Sequence, residues 1–196
     1  MVMLEDSKRQ AIATELADLK ALQELLIETE RALMPAVSSD NEIQKRFNDF
    51  LSDDQKNLQT IDAVINRFNG GVVQPRETIR QYIEQVHQLM AGDTLSLYQK
   101  TAAHERIKHQ AVMTGLIIHK AAQVVGDDVK EAIGPLNQVN FTNRAHQEQL
   151  KGVMEILGTR ELTGQDPDQG VWARTQDAIA ALRGVFEGIT SYSTRD

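Results

Sequence analysis

The chain has 196 residues, enough for one domain with or without a helical appendage, and a 41% hydrophobic content that can fill a core. It carries 28 acidic residues against 21 basic ones, a formal net charge of −7, and shows no cluster of Lys and Arg interleaved with aromatics, so nucleic acid is not expected as a partner. It has no cysteine, which excludes disulfides, iron–sulfur clusters, thiolate zinc sites and cysteine nucleophiles.

Aromatic residues are only 5%, so Leu, Ile, Val and Ala must build the interior, and with only four Pro that palette favours helices. The opening MVMLEDSKRQ has acids where a signal peptide needs a basic and then an apolar stretch. The longest strongly apolar run, Val112 to Ile118, falls far short of the ~20 residues of a membrane span. The expectation is a soluble cytoplasmic protein without membrane contact.

In chain order, Ile12, Leu16, Leu19, Leu22, Leu26 and Leu33 recur at threes and fours and predict a helix from Asp6 to Val37, ended by Pro35 and Ser38-Ser39-Asp40. A second helix covers Asn41 to Phe68, with Phe47, Phe50, Ile61 and Ile65 on its stripe and Asn69-Gly70-Gly71 as its stop. Pro75 opens a shorter helix over 75–91. Asp93 is the expected N-cap of a long helix to Val125. Gly126-Asp127-Asp128 restarts a helix to Leu157 that Gly134-Pro135 kinks or divides. A polar loop over 158–170 leads to a last helix bearing Trp172, Ile179, Leu182, Val185, Phe186 and Ile189. The simplest architecture is all-α: an antiparallel four-helix bundle over 1–157 that includes the short extra helix 75–91. The loop and fifth long helix, 158–190, pack on the bundle, and 191–196 form a tail.

Polar residues on the apolar stripes mark the candidate site. Gln23 and Glu30 fall between Leu19, Leu26 and Leu33, while Asp54 and Asn57 interrupt the second helix and Asn143 and His146 interrupt the helix ending at Leu157. Residues three apart share a helix face. Asp54-x-x-Asn57 and Asn143-x-x-His146 are therefore inward-facing doublets on two helices, the layout of di-iron carboxylate bundles. Here the chain resembles the ferritin-like superfamily, including its YciF-type branch, with ERALMPAVSSDNEIQKRFNDFLSDDQKNLQTIDAVI similar to that branch's first helical hairpin and a likeness spanning 15–157. The family pattern implies two Glu-x-x-His doublets. This chain has Asp and Asn in one and Asn in place of Glu in the other, and a neutral amide is a poor iron ligand. Counted from the Ser38-Ser39 turn, Gln23 is level with Asp54 and Glu30 lies about two turns away, ~10 Å.

HKAAQVVGDDV, NFTNRAHQEQLKGVMEILGTRELTGQDPDQGVWAR and the start of the second helix resemble the helical domain that precedes a hemerythrin-type (HHE) domain in cyanobacterial proteins. That resemblance implies an oxygen- or redox-related setting, with the di-iron ligands in the hemerythrin module and not in this chain.

Other motifs carry less. His104-Glu105-Arg106-Ile107-Lys108-His109 has its histidines five apart, about 140° round the helix, which does not fit a zinc-protease pair. Which of His104, Glu105, His109 and His119 faces inward is open at this point, although Glu105 and His109 are four apart and could share a metal or a hydrogen bond. No phosphate-binding loop or nucleophile elbow is present, and His87 is expected at the surface.

Two function classes follow. The leading expectation is a non-enzymatic ferritin-like module for interaction or assembly, with no cofactor, a buried polar layer of Gln23, Asp54, Asn57, Asn143 and His146, and a protein partner or second copy. The alternative is a di-iron or di-manganese redox or iron-handling protein using Asp54, Glu105 and His146, with Glu30 or His109 beside them.

Overall fold

The computed structural model describes residues 2–69, 73–168 and 170–192, with side chains over 6–68, 73–168 and 170–185. Among the described residues the chain is all-α, with seven helices: α1 Val2–Val37, α2 Asn41–Asn69, α3 Glu77–Ala91, α4 Leu97–Val125, α5 Asp127–Ile133, α6 Leu136–Thr163 and α7 Val171–Tyr192. None is long and apolar enough to cross a membrane.

Local chemistry sets the helix ends. The Asp40 carboxylate accepts the backbone N–H groups of Glu42 and Ile43 at 3.2 and 3.1 Å and so caps α2. Ser96, not the expected Asp93, caps α4: its hydroxyl accepts from the Gln99 backbone while the Gln99 side chain accepts from the Ser96 N–H, a reciprocal capping box. Gly134-Pro135 divides the fifth predicted helix into α5 and α6. The loop expected from 158 begins six residues later, because Gly158 sits inside α6, where an added Cβ would lie only 3.1 Å from the Tyr98 ring. Gly164, at φ 71°, ends α6 in the left-handed conformation. Of the expected tail 191–196, Ser191 and Tyr192 still belong to α7 and the remainder lies outside the described residues.

Helices α1, α2, α4 and α6 touch in a ring, α1 and α6 each packing against both α2 and α4. Neighbours in the ring run antiparallel. Gln23 reaches Asp54 while Lys20 pairs with Asp62. Arg46 meets Gln149 while Asn57 meets Asn143. Thr29 meets His104, while Arg9 pairs with Asp128 just past the end of α4. Helices α2 and α4 therefore run the same way, and the chain must travel back between them.

Helix α3 makes that return along the outside of α1. Its start is pinned by Asp18, which is fully buried and accepts the Arg76 backbone N–H at 2.7 Å and the Arg76 guanidinium as well. Farther along, His87 meets Glu28 at 2.7 Å at the surface.

The apolar interior falls into two parts. One gathers Ile12, Leu16, Leu19, Leu22, Leu26, Ile61, Ile107 and Ile118, and the other Leu33, Ile43, Phe47, Phe50, Leu150 and Val153. Between them lies a layer of buried polar side chains.

Helix α7 adds to the outside of α6 through Val171 and Thr175, and Trp172 lies beneath the Arg46 guanidinium, 3.7 Å from its ring centroid. The α6–α7 approach needs Gly152, where a Cβ would sit 2.7 Å from Thr175 Oγ1 and 2.9 Å from Trp172 Cζ3. Gly152→Ala improves helix propensity by about 1 kcal/mol, but overpacking costs ~1–3 kcal/mol. The expected outcome is release of α7 with the other helices intact. Trp172 is the only tryptophan, so its emission should move to the red while far-UV dichroism holds, and an unmoved emission maximum would refute the tight seam.

Candidate functional site: a buried lysine-centred polar layer

Helix α4 carries Thr101, His104, Lys108, Ala111 and Gly115 at spacings of three and four, and all are buried. The inward stripe of α4 therefore includes a lysine. Lys108 is fully buried, and its ammonium donates to Asp54 Oδ2 of α2, to Asn143 Oδ1 of α6 at 3.3 Å and toward His146 Nδ1 at 3.3 Å. Glu30 Oε1 of α1 lies 3.8 Å away. One ammonium thus faces side chains from the other three helices of the ring.

Amides extend the layer. Asn57 donates to Asp54 Oδ1 at 3.3 Å and toward Asn143 Oδ1 at 3.5 Å. Asn143 in turn donates to Gln23 Oε1 at 3.3 Å, and the Gln23 amide reaches the Asp54 backbone carbonyl at 3.4 Å. His146 faces Asp54 Oδ1 at 3.4 Å and, on its other nitrogen, Asp53 Oδ2 at 3.5 Å. The Phe47 and Phe50 rings close one side, lying 6.0 Å from His104 and 4.6 Å from His146 between centroids.

Glu30 is buried with neither carboxyl oxygen accepting a hydrogen bond. Burial and the Asp54 charge push its pKa well above the ordinary range, against the pull of Lys108. Burial would also raise Asp54, but the Lys108 charge, with His146, holds it far below that range. The pair therefore divides its protons unequally, Glu30 holding its proton to higher pH and Asp54 giving up its own more readily beside Lys108. Asp53 is held at about 2, chiefly by its hydrogen bond to His146.

His104 is pushed down to about 3 by burial and then by Lys108, so it is neutral. The Thr29 hydroxyl donates to the Leu25 carbonyl at 2.9 Å, which leaves it to accept from His104 Nδ1 at 2.7 Å. That assigns the proton to Nδ1 and turns a bare Nε2 toward Glu30 Oε1 at 3.6 Å, too far for a hydrogen bond.

The residues singled out in the sequence separate. Gln23, Glu30, Asp54, Asn57, Asn143 and His146 enter this layer. Glu105 and His109 do not, since both turn to Gln147 of α6, at 3.0 and 3.2 Å, on the outer seam of α4 and α6. Glu30 is not two turns out of reach. A helical Cα–Cβ bond leans toward the N-terminus, which carries its head toward Asp54, and Lys108 spans what remains. Lys108 is what the sequence reading missed, although its place on the apolar rhythm of α4 was the available signal, and of the four α4 side chains left open His104 is the one that turns into the layer. Among the described residues no group of three His, Cys, Asp or Glu could hold a metal ion, and the place where four ring helices converge is filled by an ammonium.

No family model matches the chain, and no solved structure matches it. It is similar to a protein named DNA nickase from Nostoc sp., with 59% identity over 181 residues that cover 92% of this chain. The chain spans about half the length of that curated relative, 51%. This finding corrects two expectations. A relative named for DNA overturns the reading of a non-enzymatic ferritin-like module in an oxygen- or redox-related setting, together with its iron-handling alternative, and it overturns the expectation that nucleic acid is not a partner.

Two variants test the layer. Lys108→Met leaves buried Asp54 without its cation and should cost ~3–5 kcal/mol in denaturant unfolding, with part recovered when Asp54→Asn is added. Recovery to no degree would show the two do not act as a pair. Glu30→Gln addresses the raised acid. An acid whose folded pKa lies above its unfolded value destabilises the fold at high pH, and the penalty fades as pH falls through the folded pKa. Glu30→Gln should therefore be more stable than the parent in mildly alkaline buffer, with the advantage shrinking toward the ordinary glutamate value of 4.5. A pH-independent difference between the two would contradict this proton assignment.

Proposed function

We propose that this chain serves the introduction of single-strand breaks into DNA, as a helical part of a protein of the kind represented by the Nostoc DNA nickase. The observation that carries the reading is 59% identity running through 92% of the chain. At that level the matched stretch shares its fold with the relative, so what the relative's matched half contributes, this chain can contribute.

The geometry limits how. Lys108, Glu30, Asp54 and His104 have no exposed surface, and a phosphodiester cannot reach them without opening the helices. The layer's part is to fix the register of four helices, as buried polar groups do when every alternative packing leaves a charge unpaired. DNA meets the outer faces. We further propose that α1, α2, α4 and α6 make a bundle of ferritin-like arrangement, supported by the ring contacts and the parallel course of α2 and α4, and that the protein works in the cytoplasm beside its substrate.

Supercoiled plasmid incubated with the purified chain and Mg²⁺ or Mn²⁺ is expected to be retarded on a gel and to accumulate open circles ahead of linear product. Plasmid that is neither retarded nor relaxed would overturn the proposal.

A further inference from the structure

Helices α4, α6 and α7 border a groove of about 300 Å³. Leu116 of α4 and Leu182 and Val185 of α7 give it apolar walls, and Lys120 of α4 and Arg144 of α6 stand exposed on it. The Lys120 ammonium donates to the Gln123 side-chain carbonyl at 3.3 Å, and neither cation is ion-paired among the described residues.

What sets this face apart is its lack of acids. One residue in seven of the chain is Asp or Glu, 28 of 196, yet none occurs between Glu105 and Asp127, between Glu131 and Glu148 or between Asp177 and Glu187. Those three stretches supply the sides of the groove. Acids that flank them are engaged elsewhere: Asp128 with Arg9, Glu131 with Arg67 at 2.7 Å and Glu148 with Lys151 at 2.6 Å. His119, also on the groove, reports the resulting field, since burial and then Lys120 and Lys130 lower its pKa and no carboxylate pulls the other way. On a chain of net charge −7, this is a local reversal of sign.

We infer that the groove between α4, α6 and α7 holds the phosphodiester backbone of DNA, with Lys120 and Arg144 neutralising its phosphates. The inference rests on the proposed role in DNA nicking and names the surface by which the strand is held. Apolar walls lower the local dielectric, so a cleft carrying cations alone focuses its field instead of having it screened. Phosphates that settle there shed their condensed counterions, and that release drives binding. Asn137, exposed on the same groove, brings an amide that can donate to a phosphate oxygen. Contacts of this kind are to the backbone, which carries no sequence information, so the grip is indifferent to base order.

The test is fluorescence anisotropy with two labelled duplex oligodeoxynucleotides of unrelated sequence over a range of salt, alongside plasmid nicking. The parent chain should bind both alike. The double variant Lys120→Gln, Arg144→Gln should weaken binding roughly tenfold or more and flatten the log–log salt slope by about 0.9 per lost phosphate contact. Arg31→Gln with Lys45→Gln removes the same charge from α1 and α2 and should leave both readings near the parental level. Val185→Lys, at a position 61% exposed on the groove's rim, should tighten binding and steepen the slope, a gain that loss of structure cannot mimic. An equal loss in the Arg31, Lys45 control would trace binding to total charge and overturn the groove. Poly-L-glutamate bound more tightly than DNA through Lys120 and Arg144 would give the groove to an acidic protein and also overturn it. Plasmid nicking by the parent with DNA binding unaltered in every groove variant would overturn the groove while leaving the nicking role standing. No interaction of the parent with any DNA would overturn both.

Discussion

The interior of this protein depends on one ammonium group. Lys108 is brought by α4 to the level where α1, α2 and α6 contribute Glu30, Asp54, Asn143 and His146, and it touches or faces all four. Withdrawing a lysine from water is costly, and a single buried carboxylate does not fully offset the cost. What makes the arrangement tolerable is the second ring of partners. Asn57, Asn143 and Gln23 satisfy the lone pairs and N–H groups that the ion pair leaves over. The apolar clusters above and below exclude water and strengthen each interaction.

Proton placement follows from the same geometry. Two carboxylates face one ammonium, and in a low-dielectric interior both cannot be charged, so the better-solvated one ionises. Asp54 has Lys108, His146 and Asn57; Glu30 has no hydrogen-bonded partner. Within the layer the charge of Lys108 is set directly against that of Asp54. It also explains why residues with the look of metal ligands do not form a metal centre: the lysine occupies the position between them, and Glu105 and His109 are on another face of α4.

Charge summed along a chain is a poor guide to charge at a place. A net −7 and no run of basic residues argue against nucleic acid when read linearly. Yet Lys120 is on α4 and Arg144 on α6, and the antiparallel course of the two helices sets both on one groove. A charged molecule responds to the local potential within about a Debye length, ~8–10 Å, and not to the sum over distant acids.

By itself the sequence determined the helices. Leucines at threes and fours in α1, phenylalanines at the same rhythm in α2 and the Gly134-Pro135 break all report local backbone preference and one-sided burial, which are encoded within a few residues. Boundaries that depend on neighbours were not legible: α6 runs past Gly158 because the Tyr98 ring packs there, and Ser96 rather than Asp93 caps α4 because Gln99 completes the pair. The polar positions on α1, α2 and α6 could be read off their stripes. That Lys108 meets Asp54 and Asn143 there, that Glu30 is the carboxyl pushed above the ordinary range and that Asp18 pins the approach to α3 were decided only by tertiary structure. Each is a property of charges brought within a few ångströms from distant parts of the chain, and no local rule of spacing contains that distance.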